Sequence, residues 1–112
     1  MARFMAIFTD KPGAMRPDAA TMARGMQAWG EWMARYADQI VDGGGPLGPT
    51  KHVSAAGIAD VRNSLAAYVI VEADDHAAAA RMFERHPHFD IFSGDGIEVM
   101  PCLPMPMPMP VA

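Results

Sequence analysis

The chain has 112 residues, of which thirteen are Asp or Glu and nine Lys or Arg, giving a formal net charge of −4 at pH 7. That length holds one domain and excludes a second, and an acidic balance with no local Lys/Arg cluster excludes a protein that works by neutralising phosphates, so nucleic acid is not an expected partner. With 51% hydrophobic and 20% charged residues the composition is ordinary globular, and no stretch is apolar and long enough to span a bilayer, so no membrane role is expected either.

Read from the N-terminus, Arg3 to Thr9 is a strand in which Phe4, Ala6 and Phe8 alternate with Met5 and Ile7, apolar on both faces. The start MARFMAIFTD shows no extended apolar run with a small-residue cleavage site, and a cytoplasmic location is the expectation. Asp18 or Thr21 caps a helix whose apolar positions Met22, Met26, Trp29, Met33, Tyr36 and Ile40 keep the 3, 4 spacing of one buried stripe. Asp42 and the glycines Gly43, Gly44 and Gly45 are expected to end it, with Pro46 unable to continue a helix. A short extended piece, Thr50 to Ser54, a polar loop from Ala56 to Ser64 and a strong strand from Ala66 to Ala73 follow, the first and last forming an irregular hairpin. Asp74 or Asp75 caps a second helix, His76 to Arg85, with Ala79, Ala80 and Phe83 facing inward and Pro87 stopping it. Asp95-Gly96 turns the chain into a last strand, Ile97 to Leu103, in which Cys102 reads as a buried, inert thiol with no partner for a disulfide.

The order β-α-β-β-α-β predicts an α+β fold with a ferredoxin-like sheet and both helices on one face. Three of the four strands are apolar on both sides, yet two helices cover one side only. A second copy packing sheet to sheet is the simplest cover, which predicts a homodimer. The domain spans 1–103, and the Pro/Met-rich tail 104–112 is either a frayed end or an extended segment laying Met105, Met107 and Met109 along a partner groove.

Motifs for chemistry are sparse. GGGPLG at 43–48 satisfies the glycine spacing of a dinucleotide site, but a helix precedes it and no helix follows, the reverse of what places a helix N-terminus against a pyrophosphate. It reads as a helix stop and hairpin lead-in, or as a loop that exposes several amides to a small anion. Among the four histidines, His52 sits beside Lys51 in the short strand as a possible pocket base, or as a solvent or interface residue. His86 and His88 bracket Pro87, and in an extended chain they share one side with Asp90, an arrangement that can orient an imidazole by a carboxylate. The spacing is not that of a zinc motif, so neither metal nor cofactor is expected. His76, in a first helical turn, reads as solvated. Trp29 belongs to the buried stripe, whereas Trp32 lies about 60° off it, near Tyr36 and Arg35, where it lines either an interface or a ligand pocket. Tyr68, central in its strand, needs a partner for its hydroxyl or points it into a cavity.

The segments MQAWGEWM, DGGGPLGP, TKHVSAAG, YVIVEADD and HPHF followed by IEVMP together resemble the YCII-related (YciI-like, DGPF-type) family over nearly the whole chain to about Leu103. The resemblance implies a dimeric α+β barrel of ferredoxin-like subunits. It also implies kinship with proteins mostly of unknown activity, some of which look like dehalogenating or isomerising enzymes of aromatic breakdown that use a histidine with an aspartate. The family's histidine lies on the first helix, where Ala28 to Met33 offers Trp29, Glu31 and Trp32 but no histidine, and the DGPF tetrapeptide is absent. Acid–base work is thereby left to His52, His86, His88, Asp90 and Glu31. Two readings stay open: an enzyme moving a proton on an aromatic or enol-like metabolite, and a non-catalytic dimeric module that binds a small molecule or a protein.

Overall fold

The computed structural model describes residues 1–105. Strand β1 (Ala2–Thr9) is followed by helix α1 (Ala19–Arg35), strands β2 (Ile40–Pro46), β3 (Thr50–Ser54), β4 (Gly57–Val61) and β5 (Leu65–Ala73), helices α2 (His76–Arg81) and α3 (Pro87–Asp90), and strand β6 (Gly96–Pro101). Four strands make one antiparallel sheet in the order β2-β5-β1-β6, and β3 and β4 form a separate two-stranded sheet. The large sheet has the ferredoxin-like order, with the β3–β4 hairpin inserted between its second and third strands.

Alternation on β1 and β5 sorts the two faces. Phe4, Ala6 and Phe8, with Ala67, Val69, Val71 and Ala73, point to the helices and are all buried. Trp32, Ala79, Met82 and Phe83 complete that core from the helical side. Each large side chain so buried contributes roughly 1.5–3 kcal/mol. On the opposite face Met5, Ile7, Tyr68 and Ile70 are half-buried. Arg3 stands in register with Glu72, their side chains paired at 3.6 Å.

Helix α1 starts where expected, the Asp18 carboxylate accepting the Thr21 N–H at 2.7 Å. That bond holds the Asp18 carboxyl below its ordinary pKa. The helix ends earlier than the stripe predicts, at Arg35, where the Tyr36 N–H closes onto the carbonyls of Trp32 and Ala34. Gln39 and Ile40 then bond back to the Tyr36 carbonyl, and Ile40 enters β2 instead of the helix. The three glycines therefore lie inside a strand. β2 crosses β5 with two register shifts, Asp42 Oδ1 accepts the Gly44 N–H at 2.8 Å, and Gly44 takes φ +63°. A Cβ there would run into the Tyr68 carbonyl, which is why this irregular strand needs glycine.

The stripe holds at Trp29, Met33, Tyr36 and Ile40, which pack against the core, but its buried centre is shifted to one flank. Gly25 and Trp32 are the buried residues of α1, while Met26 is 57% exposed. Thr50–Ser54 does not join the main sheet: it pairs with Gly57–Val61, inside the stretch expected to be a polar loop, with Val53 opposite Ile58 and His52 opposite Ala59. Every residue from Lys51 to Asn63 is exposed, so the hairpin is an arm reaching off the body. In α2, Asp75 is the cap, accepting the Ala78 N–H at 2.7 Å; Ala79 is buried as expected, but Ala80 is exposed. Cys102 is exposed, not buried, because it lies just past the end of β6 at the sheet's edge. Met105 is exposed as well, and the expectation for Met107 and Met109 falls outside the described residues.

Candidate functional site

The turn after α2 brings the aromatic chemistry of this chain to one place. Pro87 occupies the first turn of α3 with His86 as its N-cap, so the segment that reads as extended is helical, and His86, His88 and Asp90 do not share a strand face. Asp90 is exposed, and among the described residues no hydrogen bond joins its side chain to either histidine. The expected imidazole–carboxylate pair is not assembled.

His86 is fully buried. Its ring meets Trp29 edge-on at 4.4 Å and 86°, Trp32 at 4.7 Å and Phe8 at 4.9 Å, with Phe83 stacked at 6.1 Å. Its Nδ1 accepts the His88 backbone N–H at 3.0 Å. An accepting Nδ1 puts the proton of the neutral ring on Nε2. That Nε2 has no hydrogen-bond partner and faces aromatic carbon. Burial, and secondly the nearby His88, push its pKa down to about 3, so at neutral pH His86 is an uncharged, enclosed ring.

His88 is almost as buried, at 4% exposure. Its Nε2 bonds the Thr9 carbonyl at 2.8 Å, and since a carbonyl only accepts, that nitrogen carries the proton. The Asp95 N–H reaches the same carbonyl at 3.0 Å, and the Gly94 N–H bonds the His88 carbonyl at 2.6 Å. Gly94 lies flat against the imidazole, where a Cβ would overlap ring atoms. The loop before β6 thus wraps His88 tightly. Its Nδ1 makes no hydrogen bond among the described residues, leaving one free lone pair.

Both tryptophans do meet this cluster, with their roles exchanged. Trp32 is the buried one, its Nε1–H donating to the Met82 carbonyl at 2.9 Å, and Trp29 is half-buried between Phe8 and Phe92. The remaining candidates lie elsewhere. His52 is exposed on the arm, and Lys51 is held by Asp60 at 2.6 Å on the same arm. Tyr68 is on the other face of the sheet, in register with Ile7 and Gly45. Glu31 is exposed on α1. His76 is exposed but not merely solvated: it stacks on Phe4 at 5.4 Å and bonds the Val99 carbonyl at 2.7 Å.

A hollow of about 560 Å³, open to solvent, lies at the root of the arm between Thr50, Asp60, Arg62, Asn63 and Leu65, away from the aromatic cluster. No group of three His, Cys, Asp or Glu side chains converges among the described residues. Phe8 and Phe83, which the sequence marks only as core positions, and Met82 and Gly94, which it does not mark, complete the cluster, because nothing in the spacing of HPHF tells that β1 and the 92–95 loop close over it. No helix among the described residues is long and apolar enough to cross a membrane.

No family model matches the chain. No curated protein matches it either. Among solved structures it is similar to the 5-chloro-2-hydroxyhydroquinone dehydrochlorinase TftG of Burkholderia phenoliruptrix AC1100, in complex with 2,5-dihydroxybenzoquinone. The TM-score is 0.55 and the identity 18%, over 87% of this chain and 89% of that one. At that identity the likeness speaks for the fold alone, an α+β fold with a ferredoxin-like sheet.

Proposed function

We propose that this chain is a YCII-related protein that works as a homodimer, its open sheet faces meeting around a small aromatic or enol-like molecule. The observation that carries the reading is the uncovered face of the large sheet. All three helices lie on the Phe8 side, and Met5, Ile7, Tyr68 and Ile70 form an apolar centre on the other. Arg3, Glu72 and Glu98 supply charge on the same face, since Arg3 is opposite Glu72 and Ile7 opposite Glu98. Apolar surface rimmed by charge is what a sheet-to-sheet contact or a flat ligand covers best. The single exposed thiol, Cys102, fits a reducing compartment, and the cytoplasm is the proposed location.

In this reading binding is the primary role, because neither buried imidazole has both access and an orienting carboxylate. Sedimentation at micromolar concentration tests the assembly, and a thermal-shift series with dihydroxylated aromatics and quinones tests the ligand. A monomer with no ligand response removes the proposal.

A second reading, an acid–base enzyme on the same class of molecule, is favoured by the fold likeness to a dehydrochlorinase and by the free Nδ1 of His88. His88→Gln keeps a donor for the Thr9 carbonyl while removing the basic nitrogen. Conversion of a bound compound by the wild type, lost in that folded variant, establishes the enzyme; binding without conversion leaves the binding role.

A further inference from the structure

The His86 ring is held in a way that only its neutral form permits. Its Nδ1 lone pair receives the His88 N–H and so caps α3, while its Nε2–H edge sits among Trp29, Trp32 and Phe8. A second proton would go to Nδ1, setting N–H against N–H at 3.0 Å and removing the cap. It would also place a cation where burial removes water and no carboxylate compensates. From α1 the ring is faced by Trp29 and Trp32, from β1 by Phe8 and from the turn after α2 by Phe83, so the one titratable neighbour is His88, whose Nε2 proton is committed to the Thr9 carbonyl. The ion pairs among the described residues, Arg3–Glu72 and Lys51–Asp60, both lie outside the cluster. Indole faces offset part of the cost of a buried cation but do not replace its hydration.

We propose that His86 is a proton-sensitive latch: neutral, it fastens the segment from Phe83 to Gly94 over the two tryptophans, and proton uptake releases that segment while the sheet stays folded. The segment is suited to move as a unit. It holds one short helix and no strand of the sheet, and its ties to the body are His86 and His88, the Gly94–Asp95 loop, Phe83 packed against Trp32 and Phe8, and Phe92 against Gly25 and Trp29. Release uncovers the Trp29 and Trp32 faces and frees the His88 imidazole from the Thr9 carbonyl.

The sign follows from linkage. Above the ordinary histidine range both latched and released states are neutral at this position, and pH has no effect. Between about 6.5 and the latched value of about 3 only the released ring binds the proton, so latching weakens about tenfold per pH unit as pH falls, and then levels off.

The experiment is amide hydrogen exchange of the full chain read by mass spectrometry from pH 7.5 to 4.5, corrected for the intrinsic pH dependence of exchange. Peptides covering 83–94 are expected to lose protection about tenfold per unit below pH 6.5, while peptides from β1 and β5 keep theirs. His86→Asn retains a capping acceptor and His86→Phe retains the ring's bulk; neither titrates, and in both the extra pH dependence should vanish. Two variants of opposite character guard against one failing to fold. A pH-independent wild-type segment, the same pH response in a folded variant, or simultaneous loss of protection in β1 and β5 each overturns the latch.

Discussion

Trp32 and Gly25 explain why the helix face is buried deepest to one side of its expected line. Of the expected positions Trp29, Met33, Tyr36 and Ile40 do pack against the core, whereas Met26 faces solvent and the buried positions are Gly25 and Trp32 on the flank of that line. Glycine adds nothing to an apolar stripe, but here it lets the Phe92 ring lie against the helix backbone, and a Cβ at Gly25 would collide with that ring. Periodicity therefore gives the helix and its repeat, while the phase depends on a contact from a loop 67 positions later. Replacing Trp32 by Phe keeps most of the ring and strands the Met82 carbonyl in the core. A loss of roughly 1–3 kcal/mol in urea unfolding is expected. At Gly94 an alanine must push the buried His88 ring aside, because the added carbon overlaps it. Gly94→Ala should cost roughly 1–3 kcal/mol in the same measurement. A cost below a few tenths for either would mean that the cluster is looser than its geometry.

At the scale of elements the capping residues were readable, since Asp18 and Asp75 both carry the side-chain bond that their position suggests. The glycine run was not. Asp-Gly-Gly-Gly-Pro has the chemistry of a helix stop, and only the neighbouring strand β5, whose Tyr68 carbonyl leaves no space for a side chain at Gly44, makes it an irregular strand instead. The arm was missed for a related reason. Gly57 to Val61 is short and wholly exposed, and its pairing with Thr50–Ser54 is local, so no core contact marks it. Because all of 51–63 is exposed, the arm adds little to the folded body. Replacing residues 49–62 by an Asn-Gly turn joining β2 to β5 should leave the thermal midpoint within a few degrees. A drop of more than about 10 °C would show that the arm supports the sheet, on the scale of about 4–8 °C per kcal/mol for a domain this size.

For the whole molecule, the ferredoxin-like topology was legible because the strand and helix order, the buried alternation of β1 and the two-sided apolar character of β5 all point the same way. The assembly of a histidine site was not, because it requires β1, α1 and the 86–95 segment at once, and the sequence shows only that the parts exist. The second sheet face carries the clearest prediction at this scale. Ile70→Glu puts a carboxylate in the apolar centre of that face without touching the helical core. It should convert a homodimer to monomer in sedimentation while far-ultraviolet circular dichroism is unchanged. A dimer that survives the substitution would place the contact elsewhere.

The two outer strands of the sheet, β2 and β6, finish on Pro46 and Pro101, and the Val99 carbonyl of β6 is already taken by the His76 ring. Proline offers no N–H to an incoming strand, and three successive glycines with broken register make β2 a poor template. The four-stranded ribbon is blunted at both sides, so chains crowded together at synthesis have little means of zipping these main sheets edge to edge into continuous β-fibres.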